Sequence, residues 1–152
     1  MLKIVESKLD NCKKIYHSEN KECYAEIEIL KFDNGKVNSF FEGIIDNEVS
    51  VIKEFEDIDN MTKEEILNEY KENFIDIYNI RDLIKEDLII IHYIQNNSEI
   101  KGLGKEIVDC LKENYNNIIL YSSQEAESYW KSNGFNNCFL DYYFYKNNKG
   151  DK

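Results

Sequence analysis

The chain is predicted to fold as an α/β domain of the α+β type, with a mixed, mostly antiparallel central sheet and helices on both faces. Three observations predict it. The first half carries runs in which apolar and charged residues alternate, as half-buried antiparallel strands do. The second half alternates between apolar runs and segments of helical period, the pattern of strand and helix units. Between them, LIIIHYIQ (Leu88 to Gln95) is nearly continuous in apolar residues, as a central strand covered on both faces would be.

The length, 152 residues, is that of one ordinary domain, and no repeat, linker or composition change divides it, so a single domain over 1–152 is expected. A 42% hydrophobic share with 11 Tyr and 8 Phe is ample for a core and argues against disorder. Four cysteines, Cys12, Cys23, Cys110 and Cys138, form no C-x-x-C pair, and only His17 and His92 could join them, so no metal site is expected. There is no basic leader before an apolar h-region and no 18-residue apolar run. A cytoplasmic protein with reduced thiols and no membrane contact is expected. The formal net charge of −11 disfavours nucleic acid, because phosphate repulsion would have to be overcome locally, and it tilts the partner towards a cation such as an amine.

Along the chain, Leu2 to Val5 reads as a short strand, and Leu9 to Tyr16 is ambiguous, with Ile15 and Tyr16 able to close a short helix. YAEIEILKF from Tyr24 alternates cleanly. Asp33-Asn34-Gly35 then reads as a hairpin turn, VNSFFEGII as a second strand, and EVSVIKEF, after Asp46-Asn47, as a third: an antiparallel meander. Thr62 with Glu65 three residues later makes a capping box, and Ile66, Tyr70, Phe74 and Ile77 continue one helical face, predicting a long helix over Thr62 to Ile80. After the central strand come a glycine turn, a helix over Lys105 to Tyr115, a buried strand NIILYS, a helix over Gln124 to Asn133 closed by Gly134, and a final strand CFLDYYFY.

The glycine turn, SEIKGLGKEIVDCL (Ser98 to Leu111), carries the chemistry. A buried strand feeding a glycine turn at a helix N-terminus gathers unpaired amides and the positive end of the helix dipole, which suits an anion. Gly102 and Gly104 let main chain approach a pyrophosphate, with Lys101 and Lys105 at the rim. The Walker pattern fails because Glu106 follows Lys105, and the dinucleotide G-x-G-x-x-G fails because position 107 is Ile.

YIQNNSEIKGLGKEIVDCL resembles the acyl-CoA-binding segment of the GNAT superfamily of N-acyltransferases, whose signature is [Q/R]-x-x-G-x-[G/A]. Downstream, EAESYWKSNGF resembles that family's second signature, A-x-x-[FL]-Y-x-x-x-G-F, through Ala126, Tyr129, Trp130, Gly134 and Phe135. The two stand in the family's order, one short strand apart, and the resemblance covers about Leu88 to Tyr145. It implies a splayed sheet with the pantetheine arm of acetyl-CoA between Leu88 to Gln95 and Asn117 to Ser122. The implied cofactor contacts are Ile94, Gln95, Asn96, the segment Ile100, Lys101, Gly102, Leu103, Gly104 and Lys105, and also Ser123 and Trp130. The sequence departs from the pattern at Glu99, which stands at the Gln/Arg position, and at Trp130, which stands at the tyrosine position. The family also usually has strands where the Thr62 helix is expected.

The resemblance further implies direct attack of an amine on the thioester, with a backbone N–H near Ile94 stabilising the oxyanion. His92 is the candidate base, with a reference pKa near 6.5 that suits proton work; its alternative reading is a hydrogen-bonded core histidine. Glu26, Glu28 and Glu42 on the meander are further candidates, whose default reading is a solvated face. Tyr129 is the candidate acid. Tyr121 and the Tyr142, Tyr143, Tyr145 cluster either line an acceptor pocket or pack. Cys110 reads as core, and the aromatic terminal strand is the candidate surface for a homodimer. The expected function is transfer of an acetyl group from acetyl-CoA to a primary amine of small-molecule or peptide type. The alternative is a catalytically silent CoA-binding or protein-interaction module of the same fold.

Overall fold

The computed structural model of the chain describes residues 3–6 and 12–147. Its strands are β1 (Lys3–Glu6), β2 (Cys12–Tyr16), β3 (Cys23–Leu30), β4 (Leu88–Asn96), β5 (Asn117–Tyr121), β6 (Asn136–Phe139) and β7 (Tyr142–Lys146). The helices are α1 (Lys36–Glu56), α2 (Lys63–Glu69), α3 (Ile75–Leu83), α4 (Leu103–Asn114) and α5 (Glu127–Ser132), with short 3₁₀ turns at Lys71–Asn73 and Gln124–Ala126. One open sheet of order β1-β2-β3-β4-β5-β7-β6 holds all seven strands. Every pairing is antiparallel except β4 with β5. The predicted α+β class with a mixed, mostly antiparallel sheet therefore holds.

Period-2 alternation splits the core into two layers, one on each side of the sheet. Ala25, Ile27, Ile89, Ile91, Ile118 and Leu120 point to one side, where they meet Leu103, Ile107, Val108 and Leu111 of α4 and Trp130 of α5. Leu30, Leu88, Ile90, Ile119 and Phe144 point to the other, where α1, α2 and α3 cover them. Helices thus lie on both faces, as expected.

The meander after β3 is the largest correction. Residues read as two further strands form α1, a 21-residue helix. Val37, Phe41, Ile45, Val49 and Ile52 recur at helical spacing and are all buried against the sheet; that stripe outweighs the short alternations inside it. Asn34-Gly35 does not make a hairpin. Gly35 uses its left-handed φ of 77° as the N-cap of α1, a conformation open to glycine at little cost.

The helix predicted over Thr62 to Ile80 is broken in two. Its capping box is present, with Glu65 N–H donating to Thr62 Oγ1 and Thr62 N–H donating to the Glu65 carboxylate. The chain then tightens through Lys71–Asn73 and restarts as α3, so that Ile66, Phe74 and Ile77 all reach one core. Residues 12–16 form strand β2, not the close of a helix; Leu9 to Asn11, like Leu2, lie outside the described residues. The final segment is a hairpin, β6 and β7, turning through Leu140-Asp141, whose Leu140 φ of 47° is supported by Asn137 Nδ2 donating to the Leu140 carbonyl. Because β7 pairs with β5 on one side and β6 on the other, it offers no free edge, and the edge at this end of the sheet is β6.

The close of α5 follows prediction. Gly134 adopts φ 88°, its N–H donates to the Lys131 carbonyl and that of Phe135 to Trp130, the pair of bonds of a Schellman motif. Lys112 Nζ adds a 2.7 Å bond to the Asn133 carbonyl and sits over the Tyr145 ring. Among the described residues, no helix is long and apolar enough to cross a membrane.

Candidate functional site

The site is a fork in the sheet. Strands β4 and β5 run parallel through Ile89↔Ile118, Ile90↔Ile119 and Ile91↔Leu120, and there the pairing stops. β4 continues for five residues, 92–96, paired with β3 alone. Among the described residues no strand lies beside its other edge, which leaves main-chain groups available to an extended ligand.

The fork coincides with a β-bulge. Ile27 opposes Ile91 and Glu26 opposes Tyr93, so His92 has no partner. An unpaired extra residue interrupts the alternation and re-aims the side chains around it. Consequently His92 and Tyr93 both meet carboxylates that lie on the α1 side of β3: His92 Nε2 stands 3.0 Å from Glu28 Oε1, and Tyr93 Oη donates to Glu26 at 2.8 Å. That bond, with burial second, pushes the Tyr93 hydroxyl up to about 12, so Tyr93 stays protonated.

Glu28 and His92 help to line a cleft of about 460 Å³ on the α1 side, closed by Lys36, Ser39 and Phe40 of α1 and by Tyr121 and Tyr142. The Tyr121 and Tyr142 rings meet edge to face at 5.2 Å. The tyrosine cluster is therefore divided: Tyr142 lines the cleft, Tyr143 is buried on the opposite layer, and Tyr145 packs on Phe135. Glu42, predicted on the meander, lies instead on α1 and is held by Lys63 and Arg81, away from this cleft. Cys12 belongs to the same corner. It opposes Glu28 in the β2/β3 register, and burial, with Glu28 and Glu26 behind it, pushes its thiol up.

On the other layer, the loop after β4 delivers the chain into α4. Asn96 braces that loop: its Nδ2 donates to the Ile100 carbonyl at 2.8 Å, and its Oδ1 accepts from the Ser98 amide and hydroxyl. Gly102 is the N-cap with φ 89°, and no side chain caps the helix, so the first-turn amides are left without an intrahelical acceptor. Gly102 is required by its backbone angle. Gly104 is not, since a Cβ there would meet only Ile94 Cγ2 at 3.6 Å and Tyr129 Oη at 3.8 Å, ordinary contacts. Gly104, Ile94 and the Tyr129 hydroxyl thus face one another across a notch beside the free edge of β4.

The predicted site residues separate into three groups. Ile94, Asn96, Ile100, Lys101, Gly102, Leu103, Gly104 and Lys105 follow one another along the fork and the mouth of α4, although the Leu103 side chain is core and Lys105 is turned back to Asp109 at 2.9 Å. Gln95 points to the β3 side, accepting from the Tyr24 hydroxyl, and Ser123 begins the turn after β5. Trp130 is buried against Phe135, whereas Tyr129, beside it, is 38% exposed with its hydroxyl towards Gly104. Burial first, then Asp109 and Cys23, push the Tyr129 hydroxyl up, so it is held as a proton donor. Glu99 is exposed, and Cys110 is half-buried with its sulfur near Asn114.

Sequence reasoning missed Tyr93 and the role of Cys12. A bulge leaves no mark in composition, and the register that sets Cys12 against Glu28 is a tertiary fact. Comparison with protein families, with curated proteins and with solved structures gave no match to this chain.

Proposed function

We propose that the protein is an N-acyltransferase of GNAT type, cytoplasmic, that moves an acetyl group from acetyl-CoA to a primary amine on a cationic acceptor. One observation carries the reading: where β4 and β5 part, Ile91 and His92 of β4 line the α1-side cleft, and Ile94, a few residues on, faces Gly104 and Tyr129 on the α4 side. A glycine inside a helix costs about 1 kcal/mol against alanine, and nothing in the packing asks for one at position 104. Space for a ligand accounts for it.

Acetyl-CoA supplies the activated thioester, and this chain supplies positioning and proton transfer. Amides of Leu103, Gly104 and Lys105, with the positive end of α4, receive the pyrophosphate. The open edge of β4 at Ile94 and Asn96 receives the amides of the pantetheine arm, and a main-chain N–H near Ile94 stabilises the developing oxyanion. His92, oriented by Glu28, takes the proton of the attacking amine arriving from the α1-side cleft. Tyr129 returns a proton to sulfur on the notch side, the role that Trp130 cannot fill because indole is no acid at neutral pH.

The buried Trp130 and the exposed Glu99 favour a second reading, a silent CoA-binding module. Calorimetry with acetyl-CoA tests the first step, and absence of binding at millimolar ligand would overturn both readings. Thiol release against a panel of polyamines, aminoglycosides, amino acids and peptide amines separates them. The acyltransferase turns over at least one, and His92→Gln lowers that rate about 10²-fold or more with acetyl-CoA affinity unchanged. The silent module binds and never turns over.

A further inference from the structure

Cys12 on β2, Glu28 on β3 and His92 on β4 stand on three neighbouring strands, and one sulfur, one oxygen and one nitrogen from them all lie within 4.8 Å of one another. Two features of the sheet bring them together. Register sets Cys12 directly opposite Glu28, and the bulge that leaves His92 unpaired puts its imidazole against the Glu28 carboxylate at 3.0 Å. Cys12 is buried, while Glu28 and His92 line the α1-side cleft, so the group is closed behind and open in front.

We infer that Cys12, Glu28 and His92 form a binding site for a zinc-like divalent cation, with its fourth position open to the cleft. Zinc accepts thiolate, imidazole and carboxylate together at bonds of about 2.0–2.3 Å, in tetrahedral geometry. Its donors then stand roughly 3.5 Å apart, so His92 and Glu28, now at 3.0 Å, would part slightly and Cys12, within 4.8 Å of both, would draw closer. Mixed sulfur and nitrogen donors select against magnesium and calcium, which prefer oxygen alone. Charge also balances: a thiolate, a carboxylate and a neutral imidazole meet a dication, the thiol proton leaving to solvent as the sulfur–metal bond forms. Glu26, the acid next along β3, keeps the surroundings anionic. Three protein donors and one open position is the arrangement of zinc sites that take an exogenous ligand.

The site uses the His92 and Glu28 groups that the acyltransfer reading gives to proton transfer, so zinc and base chemistry exclude each other at these atoms, and the site is tested without acetyl-CoA. The full chain, stripped with a chelator and exchanged into chelator-free buffer, is titrated with Zn²⁺ by calorimetry and with Co²⁺ by absorption. One equivalent of Zn²⁺ is expected to bind, and Co²⁺ is expected to give a sulfur-to-cobalt charge-transfer band. Cys12→Ser should remove the band and weaken Zn²⁺ at least about 100-fold, more than losing an outer-sphere partner costs; Cys110→Ser should change neither. In the unmutated chain, Zn²⁺ should also protect Cys12 from alkylation, read by peptide mass, which needs no variant to fold. Failure to bind an equivalent of Zn²⁺, or unchanged alkylation of Cys12 with Zn²⁺ present, would overturn the inference. Acetyl-CoA binding, measured separately in chelator, reports on the other reading alone.

Discussion

The two halves of β4 differ in both burial and pairing. Leu88 to Ile91 are buried on both faces at 0–8% exposure and lie between β3 and β5. His92 to Asn96 have β3 on one side only; the side chains of His92, Tyr93, Gln95 and Asn96 bond to Glu28, Glu26, Tyr24, Asn97 and the Ile100 carbonyl, and Ile94 alone packs against the core, half-buried. Within one strand, the first half holds the fold and the second half is held by it. The teaching is that a neighbouring strand's departure converts a structural strand into a binding edge without any break in the strand itself.

The sharpest way to break this comparison is to truncate each half. Ile89→Ala should cost about 2–5 kcal/mol, as buried isoleucines do when a cavity is left, whereas Ile94→Ala, half-exposed, should cost about 1 kcal/mol or less. Urea unfolding measures both, and equal losses would erase the division.

Next in size is the notch. Gly104→Leu should leave stability within about 1 kcal/mol of the starting protein, since leucine is the better helix former, yet weaken acetyl-CoA at least tenfold in calorimetry. An unchanged affinity would reduce Gly104 to a turn residue.

A smaller effect belongs to the structural end of the strand. The Asp87 carboxylate accepts from the Phe32 amide at 3.0 Å and pairs with Lys31 at 3.2 Å, and the amide first, then Lys31, holds it below the usual carboxylate range. A folded value below the unfolded one stabilises above the ordinary pKa and fades as the pH falls through the folded one. Asp87→Ala should therefore cost under about 1 kcal/mol at pH 7, given its exposure, and the difference from the parent should shrink towards pH 3 in thermal unfolding.

The smallest expected effect is at Glu99. An exposed carboxylate beside the α4 amides gives an anion no help, so Glu99→Ala should leave acetyl-CoA affinity unchanged or slightly improved. A tenfold loss would move the proposed cofactor path.

Legibility followed the range of the forces involved. The capping box at Thr62, the Gly134 close of α5 and the apolar run of β4 rest on contacts within a few residues, and each was readable. The α1 segment was misread because EVSVIKEF satisfies a short alternation and a helical stripe at once, and only the sheet face waiting for Val37, Phe41 and Ile45 decides between them. Asn34-Gly35 was read as a hairpin for the same reason, since one left-handed glycine serves a turn or a helix N-cap equally. At the site, His92, Glu28 and the glycines are legible from residue type and position and Tyr129 from the family resemblance; Cys12 and Tyr93 are not, because register and bulge place them.

By itself, then, the sequence determined the α+β class, the central strand and the glycine-opened start of α4. Tertiary structure alone decided that β4 outlasts its pairing with β5, that His92 falls on the bulge beside Glu28, and that the Tyr129 hydroxyl lies towards Gly104 while Trp130 is buried. The physical reason is distance along the chain. Helix caps and strand periods are settled by neighbours three or four residues apart, whereas the fork is made where β4 and β5 part, and the meeting of residues 28 and 92 beside it depends on how the whole sheet twists and pairs.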